Sequence, residues 1–227
     1  MEVIILAGGF GTRLQSVVSD VPKVMAPINN KPFLEYIFDD LSKYDVSRVI
    51  LAVGYKKEIV KKYFGNKYKN IKIAYSEENE PLGTGGAIKN ALSLVNDEEV
   101  IIMNGDIYTK INYDSLYNAF KDKKSKLMLV VKYMENFSRY GSVEISNDKI
   151  ISFREKKLVE SGFMSVGCYV FNKNLLKEFR NNIKFSIEND FFSKYVINNK
   201  IDYYQYSDIF VDIGIPEDYE FIKGLLK

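Results

Sequence analysis

The feature that most constrains this fold is a short apolar run near the amino terminus that ends in a cluster of glycines. Residues 3–7 are all apolar, and Gly8, Gly9 and Gly11 follow them closely. Such a run predicts a strand buried on both faces of a parallel sheet. Glycines let the backbone turn tightly and bring its amide groups near an anion, and a following helix would add its positive end. The sequence therefore predicts a phosphate-binding loop at the carboxyl end of the first strand.

Two familiar phosphate loops are excluded, and one alternative stays open. The dinucleotide pattern Gly-x-Gly-x-x-Gly fails because Leu14 stands at its last position. No Gly-Lys-Ser/Thr follows that would make a Walker loop. The alternative is a glycine-rich strand-to-helix turn that binds no ligand.

Strand and helix patterns alternate through the first half of the chain. Apolar periodicity predicts strands at residues 48–53, 71–75 and 100–103 and helices at residues 32–41, 56–64 and 84–95. This spacing is typical of βαβ units, and it indicates a mainly parallel sheet with helices on both faces.

The second half of the chain changes to a strand-rich pattern. Strands are predicted at residues 127–133, 142–145, 150–154, 163–171, 203–206 and 210–213, and helices at residues 174–179, 188–198 and from 216 onwards. The pair Asn147-Asp148 predicts a hairpin turn. Because no linker or repeat separates the halves, we predict one α/β domain, residues 1–227, with a mixed, mainly parallel central sheet.

Composition excludes several kinds of chemistry. The chain of 227 residues has no histidine, which removes the commonest general base and the usual zinc ligands. Its 32 basic and 30 acidic residues nearly balance, which argues against nucleic acid as a partner. The one cysteine, Cys168, lies in an apolar run and fits a buried thiol in a reducing compartment. No signal peptide or membrane-spanning run is predicted, so we expect a cytoplasmic protein without a membrane partner.

Four charged residues are candidates for binding phosphates and a hard metal ion. Arg13 ends the glycine loop, and Lys23 stands between a proline and an apolar run, an unusual place for a surface charge. Asp106 follows a predicted strand, where ligands bind in open α/β sheets, and Asp212 lies inside an apolar segment. Taken singly, Asp106 is better explained as a turn residue and Lys23 as a surface charge. Together with the loop, the two acids predict a metal–nucleotide site.

Short motifs along nearly the whole chain resemble those of the sugar-1-phosphate nucleotidyltransferases. The motifs are residues 6–14, Pro22-Lys23, residues 81–86, Asn104-Gly105-Asp106, Tyr140-Gly141, Phe153, Glu155-Lys156, Gly167 and Asp212-Ile213-Gly214, in the family's order. Within the family, residues 23–27, 186–188 and 212–218 are most similar to the guanylyltransferases that act on D-glycero-α-D-manno-heptose 1-phosphate. The resemblance implies a Rossmann-like nucleotidyltransferase fold. It also implies transfer of a nucleoside monophosphate from GTP to a sugar 1-phosphate, with release of pyrophosphate, for bacterial surface polysaccharide.

The resemblance further implies roles for individual residues. The expected catalytic residues are Arg13, Lys23 and Asp106, and the expected Mg²⁺ ligands are Asp106 and Asp212. The expected nucleotide-binding residues are Leu6, Ala7, Gly8, Gly9, Gly11, Thr12, Arg13, Lys23, Leu82, Gly83 and Thr84. The expected sugar-phosphate-binding residues are Gly141, Glu155, Lys156, Gly167 and Glu188. Residues 1–110 would then serve mainly the nucleotide, and residues 111–227 mainly the sugar phosphate.

Departures from the family pattern leave alternatives open. Val24 follows the motif lysine where the family often has proline, and Ser165 stands where an asparagine commonly helps to bind the sugar. The same reaction with UTP, CTP or dTTP and a hexose 1-phosphate is an alternative, because base choice depends on a few hydrogen bonds that the sequence does not reveal. A non-catalytic nucleotide-sugar sensor on the same fold is another, although intact Arg13, Lys23, Asp106 and Asp212 argue against it. A dehydrogenase is disfavoured because the dinucleotide pattern fails.

Overall fold

In the computed structural model, which describes residues 1–154, 157–199 and 201–226, these residues build a ten-stranded mixed sheet. Its centre is four parallel strands, which in chain order are β1 (Glu2–Leu6), β4 (Arg48–Val53), β6 (Ile71–Glu77) and β7 (Glu99–Asn104). Their spatial order in the sheet is β7, β1, β4, β6. A short strand, β5 (Lys67–Tyr68), pairs antiparallel with β6 at one edge of the sheet.

The apolar run of β1 explains the central place of this strand. Val3 and Ile5 pack in the core on one face of the sheet, while Ile4 packs in the core on the other, and all three are fully buried. A strand that is apolar on both faces must be covered on both faces. The predicted α/β fold, with a mixed sheet that is parallel at its centre, is confirmed.

Helices cover both faces of the sheet. The helices are α1 (Phe33–Leu41), α2 (Lys57–Phe64), α3 (Gly83–Leu92), α4 (Tyr113–Asp122), α5 (Ser193–Asn198) and α6 (Pro216–Leu225). Helices α1, α2, α4 and α6 pack on the face that carries Val3, and α3 and α5 pack on the face that carries Ile4. None of the helices in the described ranges is long and apolar enough to cross a membrane.

The second half of the chain extends the sheet with antiparallel strands. These are β9 (Leu127–Phe137), β10 (Ser142–Ser146), β11 (Lys149–Arg154) and β12 (Val159–Asn172), with β13 (Asp202–Gln205) parallel to β9. Strand β12 pairs with β7 and so joins the two halves of the chain in one sheet. Its pairing with β9 shifts register between Ser165 and Tyr169. Gly167 lies in this irregular stretch with a φ of 71°, a left-handed conformation that favours glycine.

Two small ribbons complete the fold. Strands β2 (Pro27–Ile28) and β3 (Lys31–Pro32) form one, and β8 (Ile107–Thr109) and β14 (Phe210–Asp212) form the other. The β8–β14 pairing places Asp212 opposite Ile107 and therefore next to Asp106. Two acids that are far apart in the sequence are brought together in this way.

One prediction about the glycine loop is wrong. Residues 12–17 form successive turns in place of a helix, so no helix follows the loop directly. The Leu14 N–H donates to the Gly11 carbonyl, and the Val17 and Val18 N–H groups both donate to the Leu14 carbonyl.

Other element boundaries differ from the predictions in smaller ways. The helix predicted at residues 174–179 is a single 3₁₀ turn, Lys173–Leu176. The helix predicted at residues 188–198 begins as a π-helix, Ile187–Phe192, and continues as α5. Helix α4 was not predicted, although the Asn112 side chain caps it by accepting a hydrogen bond from the Ser115 N–H.

Candidate active site

The carboxyl ends of the central strands open into a first cavity of about 290 Å³. It lies around the end of β1, beside the point where the chain passes from β4 and β6 on one side to β7 on the other. Ligands of open α/β sheets bind at such a point. The predicted nucleotide-binding residues that line it are Leu6, Ala7, Gly8, Gly9, Lys23, Gly83 and Thr84.

The loop glycines differ in what they face. Gly11 has a φ of 60°, and a Cβ added there would lie 2.7 Å from Cβ of Lys23, so the loop is packed against that lysine. Gly9 lines the first cavity, and an added Cβ would meet no atom within 4 Å. The packing of the described residues therefore does not require glycine at position 9. A ligand that approaches the backbone closely at this position would require glycine there.

Glu78 is a cavity residue that the sequence did not single out. It lies just beyond the carboxyl end of β6, and its Oε2 accepts a hydrogen bond from the Leu82 N–H at 3.0 Å. A Cβ added to Gly8 would lie 3.4 Å from Oε1, so the carboxylate faces the glycine loop. Burial raises the pKa of Glu78, and the Leu82 N–H opposes this shift. Three of the four residues 77–80 are glutamates, a pattern typical of a solvated loop. Only the position of this loop after a strand indicated a ligand-binding site.

A second cavity of about 610 Å³ adjoins the first. Its walls come from the β9–β10 connection, the irregular part of β12 and the π-helix. The predicted site residues that line it are Arg13, Lys23, Thr84, Asp106, Gly141, Gly167, Glu188 and Asp212. Gly11, Thr12 and Leu82 do not line either cavity, and Glu155 and Lys156 lie outside the described residues.

The two cavities share four lining residues, namely Lys23, Thr84, Asn104 and Asp106. At this junction, Nζ of Lys23 lies 2.6 Å from Oδ2 of Asp106 and 3.2 Å from Oδ1 of Asp212. The Gly214 N–H also donates to Oδ1 of Asp212, at 2.8 Å. The Ile213 N–H donates to the Asp106 carbonyl at 3.1 Å, which fixes the two acidic segments side by side.

The charges at the junction do not cancel. Lys23 and Asp212 are only 12% and 14% exposed at their side chains, whereas Asp106 is 34% exposed. Two carboxylates and one ammonium leave one negative charge in a partly buried place, where a further cation is favourable. Carboxylate oxygens are hard ligands that suit Mg²⁺. Within the described ranges no cluster of three or more metal-binding side chains occurs, so substrate oxygens or water would complete the coordination.

Arg139 is a second residue that the sequence did not single out. It lines the second cavity, and its Nη2 donates to the Tyr140 hydroxyl at 2.9 Å and to the carboxylate of Asp218. Its Nη1 is buried and has no hydrogen-bond partner among the described atoms. Burial raises the pKa of Tyr140, and the nearby Asp212 carboxylate adds to the shift. The tyrosine therefore stays protonated and can donate a hydrogen bond.

The cysteine takes no part in this site. Cys168 is buried, and burial raises the pKa of its thiol to about 12. A thiol that stays protonated at neutral pH is a poor nucleophile. This agrees with the interpretation of Cys168 as a structural residue.

Comparisons with known proteins agree on one family. Residues 2–224 match the family model for nucleotidyl transferases. The chain is 45% identical over 219 residues to the D-glycero-α-D-manno-heptose 1-phosphate guanylyltransferase of Aneurinibacillus thermoaerophilus, with 96% of this chain and 95% of that protein covered. It is 46% identical over 220 residues to the enzyme of the same name from Campylobacter jejuni, with 96% and 97% covered.

The solved structures include a protein with a bound nucleotide analogue. The crystal structure of HddC from Yersinia pseudotuberculosis complexed with GMP-PN matches with a TM-score of 0.87. The two sequences are 36% identical, and the match covers 100% of this chain and 99% of that one.

Proposed function

Because the chain belongs to the nucleotidyl transferase family, we propose that it transfers GMP from GTP to D-glycero-α-D-manno-heptose 1-phosphate, releasing pyrophosphate. The observation that carries this proposal is the meeting of two cavities at one charged junction. Lys23 and Asp106 line both cavities, so substrates bound in each would react between them. A transferase that joins two bound molecules needs such an arrangement.

The base preference is supported by Glu78. Guanine carries an N1–H and an N2 amino group on one edge, and a carboxylate can accept hydrogen bonds from both. Uracil and thymine present a single N–H between two carbonyl groups, which a carboxylate would repel. Glu78 faces the glycine loop in the first cavity, so its carboxylate favours guanine there.

The transfer itself needs positioning and charge neutralisation more than acid–base chemistry. An oxygen of the sugar 1-phosphate forms a bond to the α-phosphorus of GTP, and the bond from that phosphorus to pyrophosphate breaks. No general base is required, because the attacking phosphate is already ionised at neutral pH. Lys23 lies at the junction, where its ammonium can stabilise the growing negative charge of the leaving pyrophosphate, and Arg13 borders the same space.

We assign the metal to Asp106 and Asp212, and propose Mg²⁺. Both side chains offer carboxylate oxygens as ligands, and both already accept hydrogen bonds from one cation, the Lys23 ammonium. The ion would supply positive charge to the phosphate oxygens. Lys23 would then turn from the two carboxylates toward the phosphates.

We also propose that the sugar nucleotide serves surface polysaccharide synthesis and is made in the cytoplasm. The two similar proteins are named as guanylyltransferases of heptose 1-phosphate, which supports GDP-heptose as the product. The unpaired, buried Cys168 fits a reducing compartment.

A pyrophosphate-release assay over a matrix of nucleoside triphosphates and sugar 1-phosphates tests the proposal. We expect the highest kcat/KM with GTP and the manno-configured heptose 1-phosphate, and no release in excess chelator. A higher kcat/KM with UTP, CTP or dTTP would overturn the base assignment. No pyrophosphate with any pair would overturn the activity.

A further inference from the structure

Asn104 stands at the junction of the two cavities without an assigned role. It is the last residue of β7 and lines both cavities together with Lys23, Thr84 and Asp106. Lys23 and Asp106 carry charge, and the Thr84 Oγ1 accepts a hydrogen bond from the Ile187 N–H. The Asn104 carboxamide is thus the neutral polar group at the junction whose contacts remain to be explained.

The carboxamide of Asn104 is held in place but makes no hydrogen bond within the described part of the chain. A Cβ added to Gly167 would lie 2.3 Å from Nδ2 of Asn104, so the amide packs directly on the Gly167 backbone. The residue is half-buried. A half-buried amide without partners costs free energy unless a ligand or water binds it. Its position on the cavity wall therefore leaves it available to a polar ligand.

The chemistry of an amide indicates which ligand group it meets. An amide both donates and accepts hydrogen bonds, and so does a hydroxyl group. A phosphate group only accepts, so it would use the amide N–H groups and leave the amide carbonyl without a donor. Lys23 and Arg13 already supply cations for phosphates in this region. A hydroxyl is the better match for Asn104.

The packing of Asn104 indicates which hydroxyl this is. Gly167, on which the amide lies, lines the second cavity and is absent from the lining of the first. The hydroxyl should therefore belong to the sugar 1-phosphate. Because the phosphate of this substrate must reach the junction, the sugar hydroxyl nearest to Asn104 is the one next to the anomeric carbon, at C2.

We propose that Asn104 binds the C2 hydroxyl of the sugar 1-phosphate and thereby selects its configuration at C2. This role rests on the proposed function, since it assumes that the second cavity holds the sugar. Asn104 then distinguishes a manno-configured substrate from its C2 epimer, while Glu78 selects the base.

The test measures kcat/KM for D-glycero-α-D-manno-heptose 1-phosphate and for its gluco-configured C2 epimer at saturating GTP. In Asn104→Leu, which keeps the size of the side chain, we expect the manno-to-gluco ratio to fall about tenfold, the value of a lost hydrogen bond. KM for GTP should rise less than KM for the sugar 1-phosphate, because the amide lies on Gly167, which lines the second cavity and not the first. If the leucine variant fails to fold, Asn104→Ala takes its place in the test. It introduces no new bulk and should show the same loss of selectivity.

Asn118→Leu is the matched control, because Asn118 is exposed on α4 and does not line either cavity. It should keep the wild-type ratio. An unchanged ratio in a folded Asn104 variant would overturn the inference, and so would a rise in KM for GTP as large as that for the sugar. If the wild type prefers another sugar 1-phosphate, the proposed function fails, but the C2 epimers of that substrate test Asn104 in the same way.

Discussion

The two cavities are built in different ways, although they meet at the same lysine. The first lies at the carboxyl ends of neighbouring strands, with glycines at positions 8, 9 and 83 in its wall. The second is formed by side chains from distant segments, among them Arg139, Glu188 and Asp212. Backbone amides beside glycines can surround a phosphate with little dependence on side-chain identity. The second cavity can therefore change its substrate by substitution while the first stays the same.

The largest expected effect falls on the acids at the junction, which serve both cavities. We expect Asp106→Asn and Asp212→Asn each to lower kcat on the order of 100-fold to 1,000-fold, because each removes charge that positions the reacting phosphates. The fold should persist, as measured by circular dichroism, since both side chains border open space. Full activity in either variant, or in excess chelator, would contradict the two-acid metal site.

A smaller loss is expected when the shared cation is removed. Lys23→Ala should lower kcat by about 10-fold to 100-fold, because a charge-assisted hydrogen bond to phosphate is worth about 1.5–3 kcal/mol. Nucleotide affinity should fall less than kcat, because negative charge on pyrophosphate grows in the transition state. Lys62→Ala, on the exposed side of α2, is the control and should be unaffected. Equal losses of affinity and kcat would mean that Lys23 acts in the ground state.

Glu78 tests whether the first cavity also uses a side chain. Glu78→Gln should lower GTP affinity about tenfold relative to UTP, because an amide cannot accept both guanine hydrogen bonds. Burial raises the pKa of Glu78, so wild-type GTP affinity should fall, as pH is lowered, at a higher pH than for an ordinary glutamate. Glu78→Gln should lose this pH-dependent step in GTP affinity, whereas Glu80→Gln should keep it. A step of equal size in Glu78→Gln would show that another group titrates.

Gly9 tests the backbone character of the first cavity. Gly9→Ala should leave the melting temperature unchanged, because the added methyl group meets no atom within 4 Å. Nucleotide affinity should still fall, by about tenfold, because the methyl group points into space that the ligand needs. Gly224→Ala is the control, since its added methyl group also meets nothing within 4 Å and lies on α6. Unchanged GTP binding in Gly9→Ala would remove the loop from the nucleotide site.

The smallest expected effect is in the second cavity alone. Arg139→Ala should raise KM for the sugar 1-phosphate about threefold to tenfold, because it removes the hydrogen bond that orients Tyr140. Asp218→Asn should have a weaker effect of the same kind, because it leaves the guanidinium in place. GTP affinity, measured by calorimetry, should not change in either variant. A loss of GTP affinity would mean that the two cavities are not independent.

The same contrast explains what the sequence could predict. Strand β1, its glycine loop and the run of βαβ units follow from local patterns, because apolar periodicity and glycine chemistry are local properties. Glu78 was not singled out, and Asn104 was named only as part of a motif without a role, since their roles depend on which strands end side by side. The turns that stand in place of a helix after the loop could not be predicted from the glycines, which constrain only the loop itself. The functional assignments of Glu155 and Lys156 stay predictions, as do those of the described site residues.

Pyrophosphate exchange tests most directly whether the reaction passes straight from one cavity to the other. Enzyme is incubated with GTP and radiolabelled pyrophosphate, and label that appears in GTP is counted with and without the heptose 1-phosphate. We predict exchange only when the sugar phosphate is present, because the α-phosphorus has no acceptor until the second cavity is filled. Exchange with GTP alone would reveal a covalent guanylyl-enzyme. It would contradict direct transfer across the Lys23 junction.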